Sequence, residues 1–471
     1  MSRPVIELDT APSASRSSSF VSRAYAPALV SFGLSFAVFL SFGGVRPIFD
    51  ATLYSGVASG LLGLPDPVIP PVDHEWAIEA GAVRGFVYPL FVAAVYGFRG
   101  SADYLSAELL QGLLFPPLTT LLIYVAGREA FSRRTGLIGA WLFALWFPVA
   151  WHSRFLLTET MLGFLLALLL ACLAGLVARK NPRLALLTGL TAGVISIAHP
   201  AYQLVWLVLG IVVLAQFGRR LASLYALGAA VFIVYRLFLF SADLPYPGQG
   251  QIGRGQIGYG SGGGWTFYIS SRWETGFRPT VDDRRVSAMW YRPFGELVAK
   301  VSSGEIAVED DLRAAILRKA GEPGARLADA DFYRAGLANL LERPDKWPER
   351  MKMNTASLFL VPADLELAPA PPESPILRPV WRPLSVIVAL LSAAGLVLVA
   401  VRRRDRLILF VPALLQAAFF LAMTTSETRY AVALWPAMFL LVGVAVGEVS
   451  DAYERRHKRS ATTLETAGHV R

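Results

Sequence analysis

The chain has 471 residues, of which 54% are hydrophobic and only 17% are charged. Because about a quarter of the residues in a soluble protein are charged, this composition excludes an ordinary soluble domain and indicates a polytopic membrane protein. The formal net charge of +9 comes in short basic clusters between apolar runs, which is typical of membrane proteins and argues against a nucleic-acid partner. The single cysteine, Cys172, excludes an intrachain disulfide and a cysteine metal site.

In chain order, a polar stretch at 1–24 predicts a cytoplasmic tail, which is followed by apolar runs long enough to cross about 30 Å of hydrocarbon. Ten spans are predicted, at 25–43, 105–127, 135–151, 155–178, 184–198, 202–217, 221–241, 383–401, 407–423 and 430–447. The first span is expected to remain uncleaved, since no small-residue cleavage signal accompanies it.

One further apolar segment, GFVYPLFVAAVYGF at 85–98, has 14 residues and an internal proline. Its position follows from the basic clusters, since Lys and Arg in short loops mark the cytoplasmic side. The clusters are Arg16 with Arg23, GREAFSRR (127–134), ARKNPR (178–183), FGRR (217–220), VRRRDR (401–406) and YERRHKR (453–459). All six clusters lie on the same side of the membrane only if the segment 85–98 does not cross it. The sequence therefore predicts a membrane-edge helix in a first outer loop at 44–104, with both chain ends cytoplasmic.

The long polar segment 242–382 is predicted to form a small, mainly helical outer domain. It opens with a glycine-rich stretch at 247–264, and helical spacing of apolar and charged positions follows at 309–323 and 328–353. A proline-rich linker at 361–379 leads into the final membrane region, 383–447, and a second cytoplasmic tail at 448–471.

Four polar groups at predicted outer ends of spans are candidates for chemistry, and each also has a plainer interpretation. Asp50 could simply cap the helix that follows it. Glu159 could form an ion pair with Arg154. His199 could be a helix terminus, and the segment Glu427 to Tyr430, which includes Arg429, could be an interfacial anchor.

Together these groups favour a functional site, because separate spans bring carboxylates and cations to one predicted face. Carboxylates supply general bases, while Arg and His suit a phosphate through charge-assisted hydrogen bonds. Charges at membrane depth usually face a protein interior or a water-filled cavity.

At this point the sequence resembles the GT-C superfamily of integral-membrane glycosyltransferases, in particular bacterial relatives of protein O-mannosyltransferases and lipid A aminoarabinose transferases. The resemblance covers most of 25–447. It rests on Asp50 and Tyr54 after the first span, RGFVYPLFVAAVYGF, RFLLTET, AHP, GGGWTFYISSRWETG and ETRYAVALWPAMFLL. Two departures are that Ala51 follows Asp50 where many relatives have paired acids, and that His199 stands where relatives often have Arg.

The resemblance implies an α-helical GT-C-type bundle of about ten transmembrane helices. It also implies a polyprenyl-phosphate sugar as donor, inverting single displacement with Asp50 as general base, and a second acidic position at Glu159. Residues that would bind the donor phosphate or substrate are Tyr54, Arg84, Tyr88, Arg154, His199, Arg429 and Tyr430. No residue is assigned to a metal, and participation of a divalent cation stays open.

The expected location is the bacterial inner membrane, with the site facing the periplasm. The sequence leaves the sugar open, and the acceptor could be a protein Ser or Thr, a lipid A phosphate, a glycan or another envelope lipid. Rival hypotheses are a lipid or solute transporter, an O-antigen ligase or polymerase, and a non-catalytic scaffold. No internal repeat of the kind common in transporters is evident.

Overall fold

The structure is a computed structural model that describes most of the chain. The described residues are 15–45, 47, 50–66, 85–199, 202–241, 245–246, 250–251, 268, 271, 294–308, 310–320, 329–360, 374–423 and 428–468.

The first half of the described chain is a series of helices. They are α1 (Ser15–Phe42), α2 (Asp50–Leu62), α3 (Val87–Arg99), α4 (Tyr104–Ala130), α5 (Arg133–Ala144), α6 (Phe147–His152), α7 (Thr158–Arg179), α8 (Pro182–Ala198), α9 (Val205–Phe217) and α10 (Arg219–Ser241).

The second half contains a short antiparallel hairpin, a group of short helices and three long ones. The elements are β1 (Pro245–Tyr246), β2 (Gly250–Gln251), α11 (Phe294–Ser302), α12 (Asp310–Lys319), α13 (Asp329–Glu342), a 3₁₀ turn (Pro344–Lys346), α14 (Trp347–Thr355), a π turn (Ala356–Leu360), α15 (Ser374–Arg402), a 3₁₀ segment (Arg404–Phe410), α16 (Val411–Met423), a 3₁₀ segment (Thr428–Leu434) and α17 (Trp435–Gly468).

The predicted α-helical polytopic fold class is confirmed, and each of the ten predicted spans contains at least one helix. By length and composition, five helices in the described part could cross a membrane, at Tyr25–Phe42, Tyr104–Ala130, Thr158–Arg179, Pro383–Arg402 and Tyr430–Glu454. The predicted span 135–151 is divided between α5 and α6, because Pro148 occupies the first turn of a new helix after Trp146 leaves the helical conformation.

Three helix boundaries differ from the sequence prediction. Helix α1 begins at Ser15 rather than at 25, and α17 continues to Gly468 rather than ending at 447. Helix α15 begins at Ser374 rather than at 383, so the end of the predicted proline-rich linker is helical. Pro375 fits the first turn of that helix, where no backbone donor is needed. The linker residues 361–373 lie outside the description.

Helix α7 lies at the centre of the bundle and is buried along most of its length, with Leu166, Leu169 and Leu173 fully buried. Helices α5 and α17 approach closely through glycine. A Cβ on Gly136 would lie 2.5 Å from the Tyr124 carbonyl oxygen of α4, and a Cβ on Gly443 would lie 2.5 Å from the Thr135 carbonyl oxygen. Such small residues allow helix backbones to pack closely, which is how helices associate in a membrane.

The bundle has two chemically different ends. The arginine-rich turns meet at one of them, which we call the arginine end: Arg179 at the end of α7 binds Glu129 at the end of α4, and Arg402 at the end of α15 binds Glu448. Gln216 at the end of α9 also donates to the Asp405 carbonyl there. The opposite end, where α1 ends and where α2, α4 and α7 begin, is called the Asp50 end.

Helix α3, the predicted membrane-edge helix, has both of its ends at the Asp50 end. Near its start, Gly85 packs against the carbonyl oxygen of Ala198 at the end of α8. At its end, Arg99 pairs with Asp103, which caps α4. Its 13 residues span roughly 20 Å, which is less than the hydrocarbon thickness. Within the described residues, α3 therefore does not traverse the bundle.

The segment 242–382, for which a small helical outer domain is predicted, contains a small core of its own. Helices α11, α12 and α13 surround it. Its buried members are Tyr268, Leu297, Val301, Ile306, Leu312, Ala315, Ile316, Phe332 and Ala335. Tyr268 belongs to the aromatic stretch 265–276 and contacts Phe332, with ring centroids 6.0 Å apart. One aromatic residue of that stretch thus serves the packing of the small domain.

Candidate functional site

The chain turns from α1 toward α2 through a glycine pair. The backbone N–H of Gly43 donates to the Phe39 carbonyl at 2.7 Å, and Gly43 adopts φ +68°, a conformation that only glycine adopts readily. Arg154 holds this turn from the side. Its Nε donates to the Gly43 carbonyl at 2.6 Å and its Nη2 donates to the Phe42 carbonyl at 3.2 Å. Arg154 therefore satisfies carbonyl groups that the end of α1 leaves without helical partners.

The Arg154 side chain is only 6% exposed and is packed among aromatic rings. Its guanidinium carbon lies 4.3 Å from the Trp151 ring centroid and 5.3 Å from that of Phe42. Its remaining nitrogen, Nη1, is buried and has no hydrogen-bond partner among the described residues. Burial lowers the pKa of Arg154, but an arginine starts so far above neutrality that the group stays charged.

Glu108, four residues into α4, holds the same turn from another direction. Its Oε2 accepts the backbone N–H of Val45 at 3.0 Å, and the residue is fully buried. Glu108 and Arg154 attract each other electrostatically, but no direct ion pair forms between these two described residues. Each of the two side chains binds the backbone of the turn instead.

Asp50 is the first residue of α2 and is partly exposed. One turn later, the buried Tyr54 ring packs edge-on against Tyr88 of α3, with centroids 5.1 Å apart. The Tyr88 hydroxyl donates to Gln111 Oε1 of α4 at 2.7 Å. The Gln111 amide in turn donates to the carbonyls of Ser153 and Phe155 at 3.0 and 2.7 Å. This chain of contacts joins Asp50's helix to the segment that carries Arg154.

Glu159 lies in the first turn of α7 and is 4% exposed. Its Oε2 accepts from the Thr158 hydroxyl at 3.3 Å, and its charge acts on the hydroxyl groups of Tyr88 and Tyr202. The alternative that Glu159 forms an ion pair with Arg154 is wrong, because Arg154 binds the carbonyls of the α1 turn. Glu159 is thus a buried acid beside two tyrosines.

His199 ends α8, as its plainer interpretation predicted, and its ring lies among three aromatic rings. The centroids of Tyr202, Phe420 and Tyr430 each lie 6.3 Å from that of His199. Phe420 and Tyr430 are stacked at 4.2 Å. The structure therefore brings two predicted site residues, His199 and Tyr430, together.

Some predicted residues lie outside the description. Arg84 and Glu427 are in segments that the structure does not describe, and for Arg429 only the backbone is described. Among the described residues, no group of three or more His, Cys, Asp or Glu side chains is placed to hold a metal ion. The described part of the site therefore gives no ligand set for a divalent cation.

The sequence reasoning missed three buried polar residues at this end. Glu108 and Gln111 occupy successive turns of α4 in the stretch SAELLQG, and Gln416 of α16 accepts a hydrogen bond from the Tyr202 hydroxyl. The sequence did contain a signal for these residues, because a polar side chain inside a predicted span is costly unless it faces a protein interior. What each one binds could not be deduced, since their partners come from other helices.

The arrangement suits acid-base chemistry next to an anion. A partly exposed carboxylate begins the helix whose Tyr54 contacts Tyr88, and a buried carboxylate, Glu159, acts on Tyr88 and Tyr202. Arg154, whose Nη1 has no partner among the described residues, is held at the turn after α1. The first turn of α2 also presents backbone N–H groups, which favour negative charge.

The sequence matches no protein-family profile and no curated protein. Among solved structures, it is similar to the archaeal oligosaccharyltransferase AglB from Archaeoglobus fulgidus in complex with an inhibitory peptide and a dolichol-phosphate. That match has 16% identity, covers 95% of this chain and 52% of that one, and has a TM-score of 0.48. The apo form of the Archaeoglobus fulgidus enzyme gives 15% identity, 94% and 52% coverage and a TM-score of 0.49.

A further similar structure is ArnT from Cupriavidus metallidurans bound to undecaprenyl phosphate, at 15% identity, 92% and 78% coverage and a TM-score of 0.36. The chain spans about half the length of the oligosaccharyltransferases that it matches. With TM-scores below 0.5 and identities of 15 to 16%, these likenesses assign neither a family nor an activity to the chain.

Proposed function

We propose that the protein is a membrane glycosyltransferase that moves a sugar from a polyprenyl phosphate to an acceptor in the cell envelope. The observation that supports this best is the convergence of four segments at the Asp50 end. These segments are the turn after α1, the start of α2, the start of α7 and the end of α8, which carry the two carboxylates and the cations that the chemistry needs.

In the proposed reaction, Asp50 removes the proton from the acceptor hydroxyl as its oxygen attacks the anomeric carbon of the donor. The new bond joins the acceptor oxygen to that carbon, and the bond from the carbon to the phosphate oxygen breaks. The lipid phosphate leaves with the bonding electrons. A single displacement of this kind inverts the configuration at the anomeric carbon. Partial exposure of Asp50 allows an acceptor to reach its carboxylate.

Cations would stabilise the negative charge that grows on the leaving phosphate. Arg154 offers Nη1 for this role, since its other two nitrogens bind carbonyls. Arg84 and Arg429 remain further candidates from the sequence. Glu159 would orient the sugar or acceptor through the tyrosines beside it, and Tyr54, Tyr88, His199 and Tyr430 would line the substrate site.

We further propose that the Asp50 end faces the periplasm in a bacterial inner membrane. The clustering of arginines at the opposite end supports this orientation, because Lys and Arg collect on the cytoplasmic side. The lipid tail of the donor would then lie among the helices in the outer leaflet. The acceptor, whether protein, glycan or lipid, would be chosen by the segment 242–382.

The test uses the purified full-length protein with a panel of undecaprenyl-phosphate sugars: mannose, glucose and aminoarabinose. Donor consumption is measured with envelope extract from a deletion strain as acceptor. The Asp50→Asn variant should lose about 10²- to 10⁴-fold in rate, which is the usual contribution of a general base.

The matched control is Asp103→Asn at the same end of the bundle. Asp103 caps α4 by accepting from Ser106, whose hydrogen bond lowers the pKa of Asp103. Asn caps a helix as well as Asp does, so this variant should keep its rate. Unchanged turnover in Asp50→Asn would remove Asp50 from the mechanism, and failure of wild type to consume any polyprenyl-phosphate sugar would reject the proposed donor.

A further inference from the structure

The turn between α1 and α2 is held by two buried ionisable side chains that do not pair with each other. Glu108 accepts the Val45 N–H at 3.0 Å, while Arg154 donates to the Gly43 carbonyl at 2.6 Å. The hydrogen bonds that the charged Arg154 donates are roughly twice as strong as neutral ones. Because both contacts involve backbone atoms, they fix the path of the chain itself.

The glycine at position 44 shows how closely the turn rests on Glu108. A Cβ built on Gly44 would collide with the Glu108 carboxylate and with the Leu105 side chain. A larger residue would therefore push the turn away from α4. The Gly43–Val45 turn lies directly on the carboxylate.

Burying a full carboxylate in a helix bundle is expensive, and an apolar side chain would fill the same space at lower cost. The structure gives Glu108 contacts that an apolar residue could not make, first with the Val45 amide at 3.0 Å and also with the backbone of Leu156. Val45 precedes Asp50 by only five residues. Since five residues can span only a short distance, the position of the turn limits where Asp50 can lie.

We propose that Glu108 is a positioning residue that, with Arg154, clamps the Gly43–Val45 turn so that Asp50 points at the reacting hydroxyl. This inference rests on the proposed function, since it takes Asp50 as the base. Misplacement of a reacting group by about 1 Å can cost about 10²-fold in rate. Holding this turn in place therefore affects the reaction rate in addition to the stability of the fold.

Two substitutions separate the hydrogen bond from the bulk of the side chain. Glu108→Gln keeps an acceptor oxygen for Val45, whereas Glu108→Met has similar length without a strong acceptor. The control is Glu129→Met in the same helix, because Glu129 lies at the arginine end and binds Arg128 and Arg179 instead of the turn.

The first measurement is hydrogen-deuterium exchange of peptides covering 43–62 in the purified full-length protein. Glu108→Met should exchange at least tenfold faster at this turn, with the α7 peptides unchanged. Glu108→Gln and Glu129→Met should match wild type. Equal exchange of the turn in wild type and Glu108→Met would overturn the clamp, and so would faster exchange throughout the bundle.

The second measurement is the maximal rate and the half-saturating concentration with the undecaprenyl-phosphate sugar that wild type consumes. Glu108→Met should lose 10- to 100-fold in maximal rate at an unchanged half-saturating concentration, and Glu108→Gln should recover most of the rate. A change confined to the half-saturating concentration would reject positioning of the base. If Asp50→Asn retains activity, the proposed base is wrong, while the exchange experiment still decides whether Glu108 holds the turn.

Discussion

The two ends of α4 use the same residue type in opposite ways. Glu108, near its start, is fully buried and binds a backbone amide. Glu129, near its end and roughly 30 Å away at about 1.5 Å per residue, binds Arg128 at 2.5 Å and also Arg179. Arg154 is 6% exposed, whereas the side chain of Arg179 is 55% exposed.

Ionisable side chains therefore have different functions at the two ends of the bundle. At the arginine end, arginines that are about one third to one half exposed pair with acids, so each pair contributes little and tolerates change. At the Asp50 end, the buried side chains of Glu108 and Arg154 hold the backbone of the turn that precedes Asp50. Polar groups that are expensive to bury thus occur where a precise backbone position is useful.

The largest expected contrast between the two ends is their accessibility in cells. Cysteines are introduced at Ser101, beside the Asp50 end, and at Arg183, beside the arginine end, in a Cys172→Ser background; both positions are exposed. An impermeant thiol reagent applied to intact spheroplasts should label the cysteine at 101 and leave the one at 183 unlabelled until the membrane is opened. Labelling of both positions, or of neither, would refute the proposed orientation.

A second contrast concerns stability. Arg154→Ala removes two hydrogen bonds from a charged donor to the end of α1, so the free energy of unfolding should fall by about 2–4 kcal/mol. Arg179→Ala removes an exposed pair and should cost less than about 1 kcal/mol. Unfolding in mixed micelles measures both. Similar losses in the two variants would show that burial does not distinguish the ends.

A smaller effect is expected from the glycine turn. Gly44→Ala forces the turn away from Glu108 and should destabilise the protein by about 1–3 kcal/mol, as overpacking does. Gly33→Ala in α1 is the matched control, because nothing lies within 4 Å of a Cβ at that position. A stable Gly44→Ala protein with normal exchange at 43–62 would mean that the turn can move without cost.

The smallest effect is expected for Arg134 and Glu454, an exposed pair with nitrogen and oxygen 2.6 Å apart at the arginine end. A double-mutant cycle on this pair should give a coupling energy of about 0.2–1 kcal/mol. The coupling should shrink as salt is raised, because exposed charges are screened. A coupling that is large and independent of salt would contradict the surface character of this end.

Local sequence patterns predicted most of the fold. The apolar runs predicted where the helices lie, and the arginine clusters predicted which turns meet at one end of the bundle. The short segment 85–98 was predicted to be a helix that does not cross the membrane, and it does not traverse the bundle. Boundaries were less accurate, since Ser374 and Gly468 extend helices into segments whose composition looked like linker or tail. Helix propensity alone does not mark where a long helix leaves the bilayer.

The candidate site was only partly predictable. Four residues stood out because they are polar or aromatic and lie at the ends of apolar runs, which the sequence alone shows. They are Asp50, Glu159, His199 and Tyr430. The alternative that paired Glu159 with Arg154 was wrong, because the guanidinium of Arg154, five residues earlier in the sequence, binds the α1 turn.

By itself, the sequence determined that the chain is a helical membrane protein with charges sorted to two ends. The reason is that burying a charge in hydrocarbon costs free energy, so charged residues are rare within the spans and concentrate between them. This pattern is visible in the local sequence. Only the tertiary structure decided what those charges hold. Glu108 binds an amide 63 residues away and Arg154 binds a carbonyl 111 residues away, so both contacts depend on how separate helices pack.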